Sequence, residues 1–224
     1  MNFELLFSFA ERLRVETIGD PIWIGEKAVF EYQNGDVKVV AVLKAIRAAQ
    51  GIKSLDVLCR NGLFIDMGAI FRCVSDCTAE VYFLLEKYPD KSTHVEQFVR
   101  AFFETTIDKH LSTETEPVRT QKIHSAVVRV LTGLEQDQET RSRLLRIYQT
   151  FSGYTHANYS HIMQMYGGTY PDLEFKVAGV PSAQQREMYM QLVEQAYASV
   201  LHSLAFIAKV FGLSTLNNEI LQCC

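Results

Sequence analysis

No run of basic residues stands out in this 224-residue chain, and its formal net charge is −4. Lysines and arginines are spread along it, so a broad electrostatic surface for nucleic acid is not indicated. No uncharged apolar run reaches the roughly 18 residues of a membrane span. The longest strongly apolar window, Gln195 to Ala208, is shorter, so a soluble chain without a membrane partner is expected. A glycine-rich phosphate loop, a G-x-S-x-G elbow and an H-E-x-x-H helix are all missing, and neither a cofactor nor a metal is expected. Cysteine is sparse and odd in number: Cys59, Cys73, Cys77, Cys223 and Cys224. That count suits reduced thiols and a cytoplasmic setting better than a disulfide framework. Cys73 and Cys77 lack the two further ligands that zinc would need, and read as small core residues. The segment from Met1 to Val15 carries Glu4 and Glu11 and no cleavage site, so it reads as an amphipathic helix and not as a targeting segment.

What the chain does have is helical periodicity and, at 48% hydrophobic residues, enough apolar material for a sizeable core. Asn2 to Val15 predicts a first helix, with Leu5, Leu6, Phe9 and Leu13 on one stripe. Pro21 to Gln33, which holds the single Trp23, is expected to be irregular or a short helix. At Asn34-Gly35 a hairpin turn competes with a helix capped by Asp36. The helix, Val37 to Arg60, is preferred because its apolar pattern runs on through Ile46, Ile52 and Leu58. Further helices are expected over Leu63 to Tyr88, from Ser92-Thr93 to about His110, over Val118 to about Leu134, from Thr140 into the segment after Ile147, over Ala183 to Phe211 behind a Ser182 cap, and over Thr215 to Leu221. Thr169 to Pro181 is expected to be a loop. The fold class is therefore all-α: one domain of about seven to nine helices, with residues 1–35 as N-terminal helix and lead-in, 36–212 as the main bundle and 213–224 as a short closing helix.

One segment is unlike the rest. Between Arg146 and Asp172 there is no Asp, Glu, Lys or Arg, yet the segment holds Tyr148, Tyr154, Tyr159, Tyr166, Tyr170, His156, His161 and Asn158. It reads as half-buried, with apolar bodies inside and polar tips in need of partners. If helical, it puts Tyr148, Ser152, His156 and Tyr159 on one stripe, with Asn158 and His161 on another face. His156 is then either a structural histidine or a general acid or base titrating near neutrality. A zinc site from His156 and His161 is disfavoured, because five residues on a helix put them off one face. A second constellation is Arg72, Asp76 and Glu80, at steps of four. It is either a salt-bridged solvated stripe or a pocket in which Arg72 binds an anion. His202 is expected to be exposed, and His94 and His110 to bracket a helix.

Two segments resemble a known group. GLFIDMGAIFRCVSDCTAEVYFLLEKYP, with Arg72 followed four residues later by Asp76, and IYQTFSGYTHANYSH, with Ser152 followed four residues later by His156, resemble motifs of uncharacterised bacterial all-helical families placed loosely near the HEPN group. In those families the acid is more often Glu. The resemblance covers about Val37 to Phe211 and implies a HEPN-like helical core. Active HEPN ribonucleases carry an Arg and a His separated by four to six residues. Arg146 and His156 have nine between them, so this chain departs from that pattern. The expectation is a non-catalytic module, single or homodimeric, that binds a small ligand or a protein partner in a polar seam between two helices. Tyr148, Ser152, Asn158, Tyr159 and His161 are its candidate binding residues. The alternative is a metal-independent ribonuclease or nucleotide-binding protein using His156 with Arg72 and Asp76.

Overall fold

The structure, a computed structural model, describes residues 1–104 and 118–224. Its elements in chain order are α1 (Phe3–Thr17), β1 (Ile22–Ile24), β2 (Val29–Glu31), α2 (Val37–Arg60), α3 (Phe64–Leu85), α4 (Thr93–Glu104), α5 (Thr120–Thr132), α6 (Gln138–Thr155), α7 (Tyr159–Ile162), β3 (Tyr166–Thr169), β4 (Asp172–Phe175), α8 (Ala183–Val210) and α9 (Ser214–Leu221). A 3₁₀ turn, Met163–Met165, joins α7 to β3. The fold is all-α and multi-helical, with two small hairpins as its only sheets among the described residues. No helix of the described residues is long and apolar enough to cross a membrane.

Side-chain caps start the long helices where the sequence places them. Asn2 accepts from Leu5 N at 3.1 Å, Asp36 from Val39 N at 3.1 Å and Ser182 from Gln185 N at 3.2 Å, each satisfying a donor the helix cannot. Asp36 therefore opens α2, and Asn34-Gly35 is not a hairpin turn. α2 is the axis of the bundle. Val40, Ala41, Val42, Ala45, Ala48, Ile52 and Leu55 are fully buried around much of its circumference. Its alanines let α3 and α8 pack against it, and one continuous core joins these helices to Leu6 and Leu13 of α1, Ile123 of α5 and Leu216 and Ile220 of α9. A salt bridge between Arg12 and Glu219 ties α1 to α9.

Two expectations fail locally. Pro21 to Gln33 is neither irregular nor helical: Ile22–Ile24 pairs antiparallel with Val29–Glu31, Trp23 facing Phe30. Each strand is three residues long, too short for alternation to register, and the β-branched and aromatic residues decide the matter by pairing. The expected loop after Thr169 likewise holds half of a second hairpin, Tyr166–Thr169 against Asp172–Phe175. The portion of the α4 expectation beyond Glu104, including His110, and the polar run Ser112 to Pro117 lie outside the described residues.

The third difference is the end of α6. The sequence suggests a break or kink at Gly153, but the helix continues to Thr155 and stops in a Schellman turn. Ala157 N bonds to Tyr154 O at 3.1 Å and Asn158 N to Gly153 O at 3.0 Å. The same pair of bonds ends α2 at Gly62 and α8 at Gly212. There glycine takes the left-handed position; here Ala157 does, at φ 49°. An alanine gives no stop signal, which is why the sequence reads as helix across it. The left-handed conformation strains any Cβ-bearing residue. Ala157→Gly is accordingly expected to raise the urea midpoint, by a stabilisation of about 1 kcal/mol, and an unchanged or lower midpoint would show the turn to be unstrained.

Candidate functional site

α3 presents Arg72 to α6, where two hydrogen bonds and a ring orient the guanidinium. Its Nε donates to Asp76 Oδ2 at 2.7 Å and its Nη1 to the Tyr148 carbonyl at 3.2 Å. Its Cζ lies 3.4 Å from the centre of the Tyr148 ring, a cation–π stack. The Arg72 side chain is 15% exposed and that of Asp76 40%. Asp76 thus pairs with Arg72 from the outer side while Tyr148 covers it. Arg72 beside the phenol, helped by the Thr120 hydroxyl, holds Tyr148 below the usual tyrosine range.

The third wall is His124 of α5, nearly buried and edge-on to Tyr148 at 5.6 Å. Burial pushes its imidazole below the ordinary histidine range. Asp76 opposes this, and Arg72 and Arg141 reinforce it. His124 is therefore a neutral ring at neutral pH. Because its folded pKa is depressed, the stability it contributes is present above the unfolded value near 6.5 and is lost as pH falls through the folded value. Over pH 7.5 to about 5, wild-type stability should fall more steeply than that of His124→Gln in matched denaturation curves; parallel curves would refute the assignment.

Glu80 does not join this face. Eight residues along a helix amount to about 80° of rotation from Arg72, and that turns Glu80 toward α2, where Lys44 Nζ stands 2.7 Å away. Burial raises its carboxyl, against the pull of Lys44.

The expected stripe on α6 is not formed. His156 is the C-cap residue, exposed, its backbone N–H bonded to Ser152 O and Tyr154 O. Tyr159 lies beyond the Schellman turn in α7 and is 79% exposed. Ser152 is half-buried. The inward face of α6 is instead Tyr148, Phe151 and Tyr154. Phe151 stacks on Phe71 at 4.1 Å and on Tyr154 at 5.8 Å. The Tyr154 hydroxyl meets Tyr189 of α8 at 3.0 Å, and both phenols reach Gln164 Oε1, at 3.1 and 3.2 Å. Burial first, and then Tyr154, push the Tyr189 phenol up.

Asn158 and His161 do fall away from the α6 face, but His161 is not idle. Its ring packs edge-on to Tyr154 at 4.1 Å and covers Gly153, where a Cβ would overlap it. Asn158 is the N-cap residue of α7, its carbonyl accepting from His161 N at 2.9 Å and Ile162 N at 3.1 Å. His202 is exposed, with Nδ1 2.8 Å from Ala198 O.

The structure therefore separates the expected residues into three places. Arg72, Asp76 and Tyr148 are together; Ser152 and His156 trail off at the end of α6; Tyr159, Asn158 and His161 belong to the segment that folds back over Tyr154. His124 is the site residue that the sequence reading passed over. It carries a signal in the sequence: Arg119 precedes it with four residues between. Among the described residues no cluster of three His, Cys, Asp or Glu side chains could hold a metal. A cavity of about 290 Å³ between α3, α4 and α5 is lined by Lys87, His94, Lys122, Ser125 and Arg129, with Arg129 bound to Glu86.

Fold and site define an all-α bundle with an arginine–tyrosine–histidine seam at the junction of α3, α5 and α6. Compared with protein-family models, with curated proteins and with solved structures, the chain matches none.

Proposed function

We propose that this protein is a non-catalytic binding module, and that the Arg72–Tyr148–His124 seam receives an anionic group of a small ligand or of a protein partner. The observation that carries the reading is the state of Arg72: a guanidinium already oriented by Asp76 and by the face of Tyr148, with Arg141 near enough to act on His124. A pre-oriented cation of this kind is suited to binding a carboxylate or phosphate without doing chemistry on it. His156, the proton carrier of the ribonuclease alternative, stands exposed at the end of α6. Wild type and Arg72→Gln should be compared by thermal shift against inorganic phosphate, nucleoside monophosphates and short acidic peptides. A stabilisation of wild type that Arg72→Gln loses supports the reading. Equal responses, or no response from wild type, would sink it. Under this reading the module is single or homodimeric, and sedimentation at two concentrations distinguishes the two.

A second reading rests on His124. Its four-residue spacing from Arg119, and its position beside Arg72 and Asp76, favour a metal-independent ribonuclease with His124 in the role first considered for His156. There His124 would move the proton of a 2′-hydroxyl and an arginine would stabilise the developing charge. RNA cleavage in a chelator, by wild type, His124→Ala and His156→Ala, separates the cases. Cleavage lost only in His124→Ala supports this reading, and no cleavage by wild type removes it.

A further inference from the structure

We infer that the cavity between α3, α4 and α5 is a second binding site, separate from the Arg72 seam, and that it takes a small organic phosphate: a phosphate monoester with an apolar carbon body. The cavity measures about 290 Å³. That is just below the range of about 300–1,000 Å³ usual for small-molecule sites, so it suits a small ligand.

The lining divides by burial. Phe83, Leu84 and Val95 are buried, and they make an apolar floor. Lys87 and Lys122 are exposed, and they make a charged rim. α5 supplies its share from one face: Lys122, Ser125 and Arg129 are spaced three and four residues apart, so their side chains lie in one row. His124 is about 200° around the helix from Lys122 and turns to Tyr148 instead. One helix thus serves the seam with one face and the cavity with the other.

The charges of the lining do not cancel. Glu86 is taken by Arg129, whose Nε and Nη2 bond to its two oxygens. Nη1 of Arg129 has no partner among the described residues, and neither does the ammonium of Lys87 or of Lys122. Asp90 is the one remaining acid of the lining, so its open charge is positive. A cleft with low-dielectric walls and charge of one sign concentrates ligands of the other sign. Ser92 adds a neutral donor: its Oγ accepts from Val95 N at 3.3 Å, which leaves the O–H free to donate outward. The two ammoniums, Nη1 and this hydroxyl come from three separate parts of the chain. A phosphate monoester matches them, with a charge of about −1.5 to −2 at neutral pH and three acceptor oxygens. A carboxylate brings one charge and two oxygens. The apolar floor then receives the carbon body of the ester, which inorganic phosphate lacks.

The test is calorimetric titration of the full chain with phenyl phosphate and with inorganic phosphate, in a phosphate-free buffer of low ionic strength. Phenyl phosphate is expected to bind with one equivalent at the cavity, and inorganic phosphate roughly tenfold more weakly. Lys87→Gln and Lys122→Gln, both at exposed positions that leave the fold intact, should each weaken phenyl phosphate roughly tenfold. Asp90→Asn should tighten it roughly threefold by removing a like charge. Arg72→Gln should leave this binding unchanged, which keeps the outcome independent of the reading given for the seam. No binding by wild type, undiminished binding by both lysine variants, or equal affinity for inorganic phosphate overturns the proposal. So does binding lost only in Arg72→Gln, which would place the phosphate in the seam.

Discussion

Phe151→Ala is expected to lower folding stability by about 3–5 kcal/mol, measured from the urea midpoint at unchanged slope. Phe151 is 7% exposed and sits between Phe71 of α3 and Tyr154 of its own helix. Its removal leaves a cavity bounded on both sides by rings held elsewhere. Phe71 packs against the main core. Tyr154 is held by Gln164, Tyr189 and His161, so neither can collapse fully into the space. Because α6 is exposed along most of its remaining surface, few other contacts compensate. A loss under about 1 kcal/mol would mean that α6 is docked by something other than this stack.

Gly68→Ala is expected to cost about 1–3 kcal/mol, near the upper end of that range for overpacking. Gly68 is buried on α3, and a β-carbon there falls within the ring of Tyr154, overlapping Cγ, Cδ1 and Cβ. On propensity alone the change should help, since alanine is favoured over glycine in a helix by about 1 kcal/mol. The sign of the result therefore reports which effect wins. Tyr154 cannot swing away without giving up Gln164 and Tyr189, so the clash is expected to dominate. A double-mutant cycle isolates the cause: in a Tyr154→Ala background, Gly68→Ala should be neutral or stabilising. If it costs as much there as in wild type, the ring is not the obstacle.

These two positions show why part of the site could not be read from the sequence. Gly68 looks like a weak point in a helix, and only the opposing ring gives it a purpose. The expected stripe Tyr148–Ser152–His156–Tyr159 assumes a helix running past Ala157, and it leaves Phe151 out. An alanine in the left-handed position ends α6 there, and Tyr159 points elsewhere. The inward face then passes to Tyr148, Phe151 and Tyr154. Arg72–Asp76, by contrast, was legible, because a step of four on one helix needs no knowledge of any other element. His124 was not, since its importance comes from α5 lying against α3 and α6.

The sequence by itself determined the long helices, the caps at Asp36 and Ser182, and the Arg72–Asp76 pair. Each depends on periodicities and bonds spanning about four residues. Tertiary structure alone decided that Arg72 faces Tyr148 and His124, that Glu80 turns to Lys44, that His156 is left in solvent, and that Tyr154 closes over Gly68 with His161 behind it. Those outcomes depend on which helix lies across which, and on a chain reversal at Ala157 that no nearby residue announces.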